Sequence, residues 1–190
     1  MTSVTSQPRA DVGERLIPGF PGAGSDLKDG VLFAQFGSRT AFGEIGNGKT
    51  ERIDELARVF DEANLPYMIP SDIRAFHVSH AAICAANHHF CTADGLVDVK
   101  AAKSSRLILS MVLEMKQNIR SIAQAGVPIA DPMARAVGKM PAWVTVLLFR
   151  AVLSTKFGTD VMLGNHALSS MPEAMQLNED LRKIRPAQRG

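Results

Sequence analysis

Five side chains of ligand or nucleophile type, His77, His80, Cys84, His88 and Cys91, recur at intervals of three or four residues. On a helix turning 100° per residue they share a sector of about 80°. Such a stripe supports several chemistries. The plainest is a semi-polar face packed under neighbouring helices, each imidazole hydrogen-bonded. A zinc site would take His80 with Cys84, or Cys84 with His88, as an i,i+4 pair. It would need two more ligands from elsewhere, and off the stripe only His89 and His166 are left among the histidines, so no metal is expected. A third use is acid–base work, since an imidazolium at His80 can donate a proton at neutral pH.

A second candidate lies upstream. Gly43 to Thr50 reads "GEIGNGKT", matching G-x-x-x-x-G-K-[ST], the loop whose backbone N–H groups cradle nucleotide phosphates. An extended "RTAF" precedes it and a helical pattern follows, as that loop requires. The magnesium-holding Asp at the end of an apolar strand does not follow. The nearest candidate, Asp98 in "GLVDV", sits in a helical region behind two apolar residues. A tight Gly/Asn turn between an edge strand and a helix is the simpler reading, with nucleotide binding as the alternative.

The elements that would position these residues fall into two parts, with a boundary near residue 70. Residues 1–15 are polar and read as a disordered tail. Over 16–70, "RLIPGF", "GVLFAQF" and "RTAFGEI" read as short strands, and "PGAGSDLKDG" between the first two reads as turn chemistry. A helix is expected from Thr50, its N-cap, to Asn64, with Ile53, Leu56, Ala57, Val59 and Phe60 on one face. "LPYMIP" adds a short extended piece. From 71 to 190 the pattern is helical. Ser71 caps a helix from Asp72 to Phe90, and a long helix from Lys100 to Ala125 ends at Gly126. "DPMARAVGKM" is short, "PAWVTVLLFRAVLSTKF" reads as buried with Pro141 in its first position, and "MPEAMQLNEDLRKI" comes last. The fold class is thus mainly α, a bundle of five or six helices after a small antiparallel strand set and one helix.

Bulk properties narrow the function. With 46% hydrophobic residues in 190, the chain can bury a core. Its 21 Lys+Arg against 19 Asp+Glu are spread along the sequence, and one Trp and one Tyr offer little base stacking. Neither nucleic acid nor a membrane is an expected partner. The start lacks a secretory apolar core. Cys84 and Cys91, about 10 Å apart along one helix, cannot pair. A reduced cytoplasmic protein is expected.

The order "GFPGAG", β-ribbon, "GE" with a glycine-rich turn, helix, "LPYMIPSDIRA" and then helices resembles the ketopantoate reductase (2-dehydropantoate 2-reductase) family from about Leu16 onward. "LEMKQNIRSIAQAGVPI", with Glu114 and Gly126, resembles that family's E-x-x-x-V-A-x-A-x-G-V segment. "GNHALSSMPEAMQL" resembles the ending of divergent members. The resemblance implies a helical bundle like the C-terminal domain of 6-phosphogluconate-dehydrogenase-like reductases, preceded by a β-rich remnant of a Rossmann-type domain. It makes "GEIGNGKT" the family's glycine-rich turn, and implies NADP, a small 2-keto acid substrate, pantothenate biosynthesis and a homodimer. Counted from "DIRA", the proton-donating lysine position falls on His80, the asparagine a turn later on Cys84, and the next on His88. Glu173 falls at the substrate-binding glutamate. The family's G-x-G-x-x-G fingerprint is missing, because "GFPGAGS" does not lead into a helix. NADP binding by this chain alone is therefore not expected, and its activity is expected to be lost or altered. A non-catalytic helical module that binds a small molecule or a partner is the competing reading.

Overall fold

The computed structural model describes residues 12–28, 30–36, 38–46, 48–86, 104–155 and 171–184. Gly13–Arg15, within the segment read as a tail, form one 3-10 turn. Strand β1 (Gly19–Phe20) pairs antiparallel with β4 (Thr40–Phe42), which pairs parallel with β5 (Tyr67–Met68). The expected antiparallel set is therefore a mixed three-stranded sheet, ordered β1-β4-β5. Between its first two strands runs a separate antiparallel hairpin, β2 (Ala23–Lys28) and β3 (Val31–Phe36), in register from Ala23↔Phe36 to Lys28↔Val31. The stretch read as turn chemistry is mostly strand β2. Its real turn is two residues long with Gly30 at φ 77, and Asp-Gly is the signal such a turn favours.

Helix α1 (Glu51–Glu62) follows. Asn64 at φ 52 stops it, with Leu65 N–H donating to the Phe60 carbonyl at 2.9 Å and Asn64 N–H to that of Asp61 at 3.0 Å. Ile53 and Ala57 bury against Phe42, with Leu56, Phe60 and Tyr67 partly covered. Val59, expected on that face, is exposed.

The helical part comprises α2 (Ile73–Cys84), α3 (Ser105–Gln124), α4 (Pro132–Lys139), α5 (Ala142–Leu153) and α6 (Met171–Ile184). The cap of α2 is Asp72, whose carboxylate accepts from Ala75 N–H at 2.9 Å, rather than Ser71. α3 is the central rod. Its Ile108, Met111, Val112, Met115, Ile119 and Ile122 are buried among residues of α2, α4, α5 and α6, as the apolar spacing of a core-facing stripe requires. It ends where Gly126 takes φ 78. Lys116 of α3 reaches across to the end of α4 and donates to the carbonyls of Val137 at 2.7 Å and Met140 at 2.5 Å. An ammonium there satisfies carbonyls that the helix itself leaves without partners.

α5 departs from expectation. Thr145 and Leu153 are buried on it, while Trp143, Leu147, Leu148 and Val152 face solvent. Being apolar all round does not say which half of a helix will be covered.

The two parts meet through a small cluster in which Ala41, Phe20 and Met68 of the sheet touch Ile73 and Phe76 of α2 and Ala130. Gly22 fixes the crossing between hairpin and sheet. A Cβ there would lie 2.6 Å from Arg39 C and 2.7 Å from Thr40 N, both backbone atoms. Gly22→Ala is therefore expected to cost about 2–3 kcal/mol in a denaturant titration, the scale of overpacking. A wild-type midpoint would show that the strands separate there without penalty.

Candidate functional site

The site lies at that junction, built around Asp131. The Asp-Pro pair of "ADPM" is a helix start, with Pro132 at the first turn of α4 and Asp131 as its cap. Asp131 Oδ1 accepts from Met133 N–H at 2.7 Å, and Oδ2 lies 2.8 Å from His80 Nδ1. Its backbone N–H donates to Ser79 Oγ at 2.9 Å, and that hydroxyl donates back to the Ala75 carbonyl at 2.7 Å. Two neighbouring residues of α2 are thus held by one residue 51 or more positions away.

His80 is enclosed without being sealed. The Phe20 ring of β1 sits 4.1 Å from the imidazole, centroid to centroid, and Phe76 stacks at 5.9 Å. About 20% of the His80 side chain stays accessible, against 5% for Asp131. Burial by itself lowers the proton affinity of the imidazole. The hydrogen bond that Nδ1 donates to Asp131, then the Cys84 side chain and the Asp131 charge, reverse this and push its pKa up to about 10. One turn before it, His77 goes the other way. Burial lowers its pKa, a hydrogen bond with the Gly19 backbone opposes this, and the charge of His80 lowers it further. His77 Nδ1 is buried without a hydrogen-bond partner. Two imidazoles on one helix are thereby separated into a cation and a neutral ring, a division by environment that acid–base sites use.

Of the residues singled out in the sequence, His80 and Cys84 come together. Cys84 is the last residue of α2, a half-buried free thiol in hydrogen-bonding reach of His80. His88 and Cys91 lie outside the described residues, as does His166. Glu173 belongs to the first turn of α6, but its side chain is outside the described set. Among the described residues no group of three or more His, Cys, Asp or Glu is placed to hold a metal ion. Sequence reasoning missed Asp131, Ser79 and Phe20. The Asp-Pro pair announced a cap, but nothing local links it to His80.

The "GEIGNGKT" segment resolves differently. Glu44 is 8% exposed, and its carboxylate accepts from Arg52 Nε at 2.6 Å, Arg52 Nη2 at 2.5 Å and Thr50 Oγ1 at 2.5 Å. Thr50 makes no side-chain cap on α1, because its hydroxyl is spent on Glu44. These residues line a concavity of about 670 Å³ with Glu14 and Arg15. Where a phosphate loop would present N–H groups, a lysine and a hydroxyl to an external anion, this loop holds its own carboxylate. A phosphate would face a second negative charge there. Arg52 first, and Thr50 next, hold the Glu44 carboxyl down at about 2.

No protein-family profile matches the chain, and no curated protein matches it. Among solved structures it is similar to the crystal structure of 2-dehydropantoate 2-reductase from Methylococcus capsulatus, with a TM-score of 0.51 at 22% identity. The match covers 99% of this chain and 66% of that one. The chain thus has the fold of this reductase over both its strand-rich and helical parts, and spans somewhat under two thirds of its length. Among the described residues no helix is long and apolar enough to cross a membrane.

His80 and Glu44 give pH signatures. The raised His80 contributes stability that is full below pH 6.5 and is lost as pH rises through about 10. Asp131→Asn should abolish that alkaline decline in melting temperature, and a decline of unchanged size would show that His80 is not its source. Glu44 works in the opposite sense. Its contribution is present above pH 4.5 and disappears as pH falls through about 2. Glu44→Gln should flatten the acid limb over that window, as followed by circular dichroism.

Proposed function

We propose that the chain is the C-terminal, substrate-side part of an NADP-dependent 2-keto-acid reductase of the ketopantoate reductase type, with His80 at the position of the proton-donating lysine. The observation that carries this reading is the His80–Asp131 pair at the junction of sheet and helices, in a fold that follows the reductase along 99% of the chain. A histidine is ordinarily a poor substitute for a lysine. With Asp131 on Nδ1, however, its proton affinity rises to about 10, close to the ordinary lysine value of about 10.4. The imidazolium is then a fixed cation that can donate a hydrogen bond to the carbonyl oxygen or carboxylate of a small 2-keto acid and stabilise negative charge developing there. Cys84, His88 and Glu173 complete the proposed substrate-facing set. We place the helical part with the C-terminal domains of the 6-phosphogluconate-dehydrogenase-like reductases.

The dinucleotide does not fit the described residues. After β1 the chain enters a hairpin instead of a helix, and the start of α1 is taken by the carboxylate of Glu44. NADPH supplies hydride in this class of enzyme; the residues described here act at the carbonyl end. That same misfit favours the second reading, a module that binds the keto acid without reducing it.

Thermal shift on the purified chain tests the proposal. Ketopantoate or a shorter 2-keto acid should raise the melting temperature, His80→Ala should abolish the shift, and His80→Lys should retain it. ATP and NADPH alone should give none. A keto-acid shift that survives in His80→Ala, or no shift with any 2-keto acid, overturns the assignment.

A further inference from the structure

We infer that Cys84, His80 and Asp131 together form a peroxide-reactive thiol site, at which Cys84 is oxidised to the sulfenic acid. Carboxylate, imidazole and thiol follow one another there. Asp131 Oδ2 lies 2.8 Å from His80 Nδ1, and the Cys84 side chain, one helical turn on, is in hydrogen-bonding reach of the same ring. Activated nucleophiles are built in this order, with an imidazole at the reacting atom and a carboxylate that orients the imidazole. Such reactivity needs no keto acid, so it goes beyond the reductase reading and can fail separately from it.

The thiol is open as well as partnered. Over 79–86 every residue is buried except His80 and Cys84, so this stretch of the chain shows solvent one imidazole and one thiol. A cysteine kept for packing is ordinarily buried and inert. The rings of Phe20 and Phe76, 4.1 and 5.9 Å from the imidazole, hold it in place beside the thiol. Cys84 ends α2, and the carbonyls at a helix C-terminus disfavour an anion. Asn118 and Asn178 offset part of that by donating to the carbonyls of Ala82 and Ala85, and the His80 cation opposes it directly.

Access and charge select the reactant. A half-buried thiol admits small molecules most readily, and hydrogen peroxide is uncharged and little larger than water. A thiol reacts as its thiolate, which a neighbouring cation stabilises. Sγ of the thiolate attacks one peroxide oxygen, the S–O bond forms and the O–O bond breaks with its electron pair on the departing oxygen. Nδ1 of the imidazolium is engaged by Asp131, so Nε2 is the nitrogen left to protonate that oxygen, which leaves as water. Sulfur is oxidised by the peroxide to the sulfenic acid, and His80 recovers its proton from solvent. Attack on a carbonyl would also require donors for an oxyanion; this step requires only the thiolate, the cation and access.

The test uses the full chain carrying Cys91→Ser, so that Cys84 is its one cysteine. Treated with hydrogen peroxide and the sulfenic-acid trap dimedone, it should gain one adduct by intact mass, and Cys84→Ser should gain none. His80→Gln keeps a hydrogen-bonding side chain but no charge, and should slow adduct formation about tenfold. His80→Lys restores a cation and a proton donor, and should stay within about threefold of the parent. Should His80→Gln fail to fold by circular dichroism, Asp131→Asn, which removes the carboxylate that favours the protonated ring, should give the same slowing. A Cys84 that is trapped only once the chain is unfolded in denaturant overturns the proposal. So does an unchanged rate in the folded neutral variant, or an equal loss in His80→Gln and His80→Lys, which would mean that His80 acts by packing alone.

Discussion

A single buried carboxylate fixes how the helical part is assembled around its candidate site. Asp131 starts α4 with one oxygen and holds His80 with the other, while its backbone N–H takes the Ser79 hydroxyl. Each of these groups would be costly to bury alone, since an unmatched polar group loses its hydration without replacement. Together they satisfy one another. The same bonds set the register of α2 against α4, hold the Nδ1 side of His80 on the Asp131 carboxylate and favour the protonated ring. The geometry of the site and the packing of the domain therefore depend on the same atoms.

Glu44 plays a comparable part in the sheet region at lower stakes. Its carboxylate gathers Arg52 and Thr50, and Arg52 also donates to the Glu14 carbonyl at 2.6 Å, tying the opening turn to the start of α1. That arrangement shows how a sequence can match the residue types of a phosphate loop while its hydroxyl is already bonded within the chain. The pattern specifies residue types, whereas binding an anion also requires that the groups be left free to meet it. Here the nearest anion belongs to the chain.

The helices bury their apolar residues unequally. α3 hides one full stripe at the centre, whereas α5 covers half of an almost wholly apolar circumference. Asn118 of α3, 1% exposed, donates to the Ala82 carbonyl at 3.3 Å, and Asn178 of α6 donates to that of Ala85 at 2.7 Å. Polar side chains of α3 and α6 thus reach backbone carbonyls near the end of α2. α2 consequently carries more cross-links to other elements than its 12 residues would suggest, in keeping with its position between sheet and bundle.

Local chemistry let the sequence determine some of the helical stops and starts by itself. Asn64 and Gly126 adopt the left-handed conformation that ends α1 and α3, and Asp131–Pro132 opens α4, because each signal acts within a few residues of chain. The helical stripe holding His80 and Cys84 was legible for the same reason. The hairpin was not, since its Asp-Gly turn lay inside a longer glycine-rich stretch that looked like turn throughout. Which leucines would be buried was also beyond the sequence: Leu113 fits the apolar rhythm of α3 but faces outward. Only tertiary structure could bring Asp131 to His80, and Phe20 from the first strand over the same ring. Periodicity specifies a face of one element. What meets that face depends on contacts between residues far apart in the chain, and these form when the elements pack.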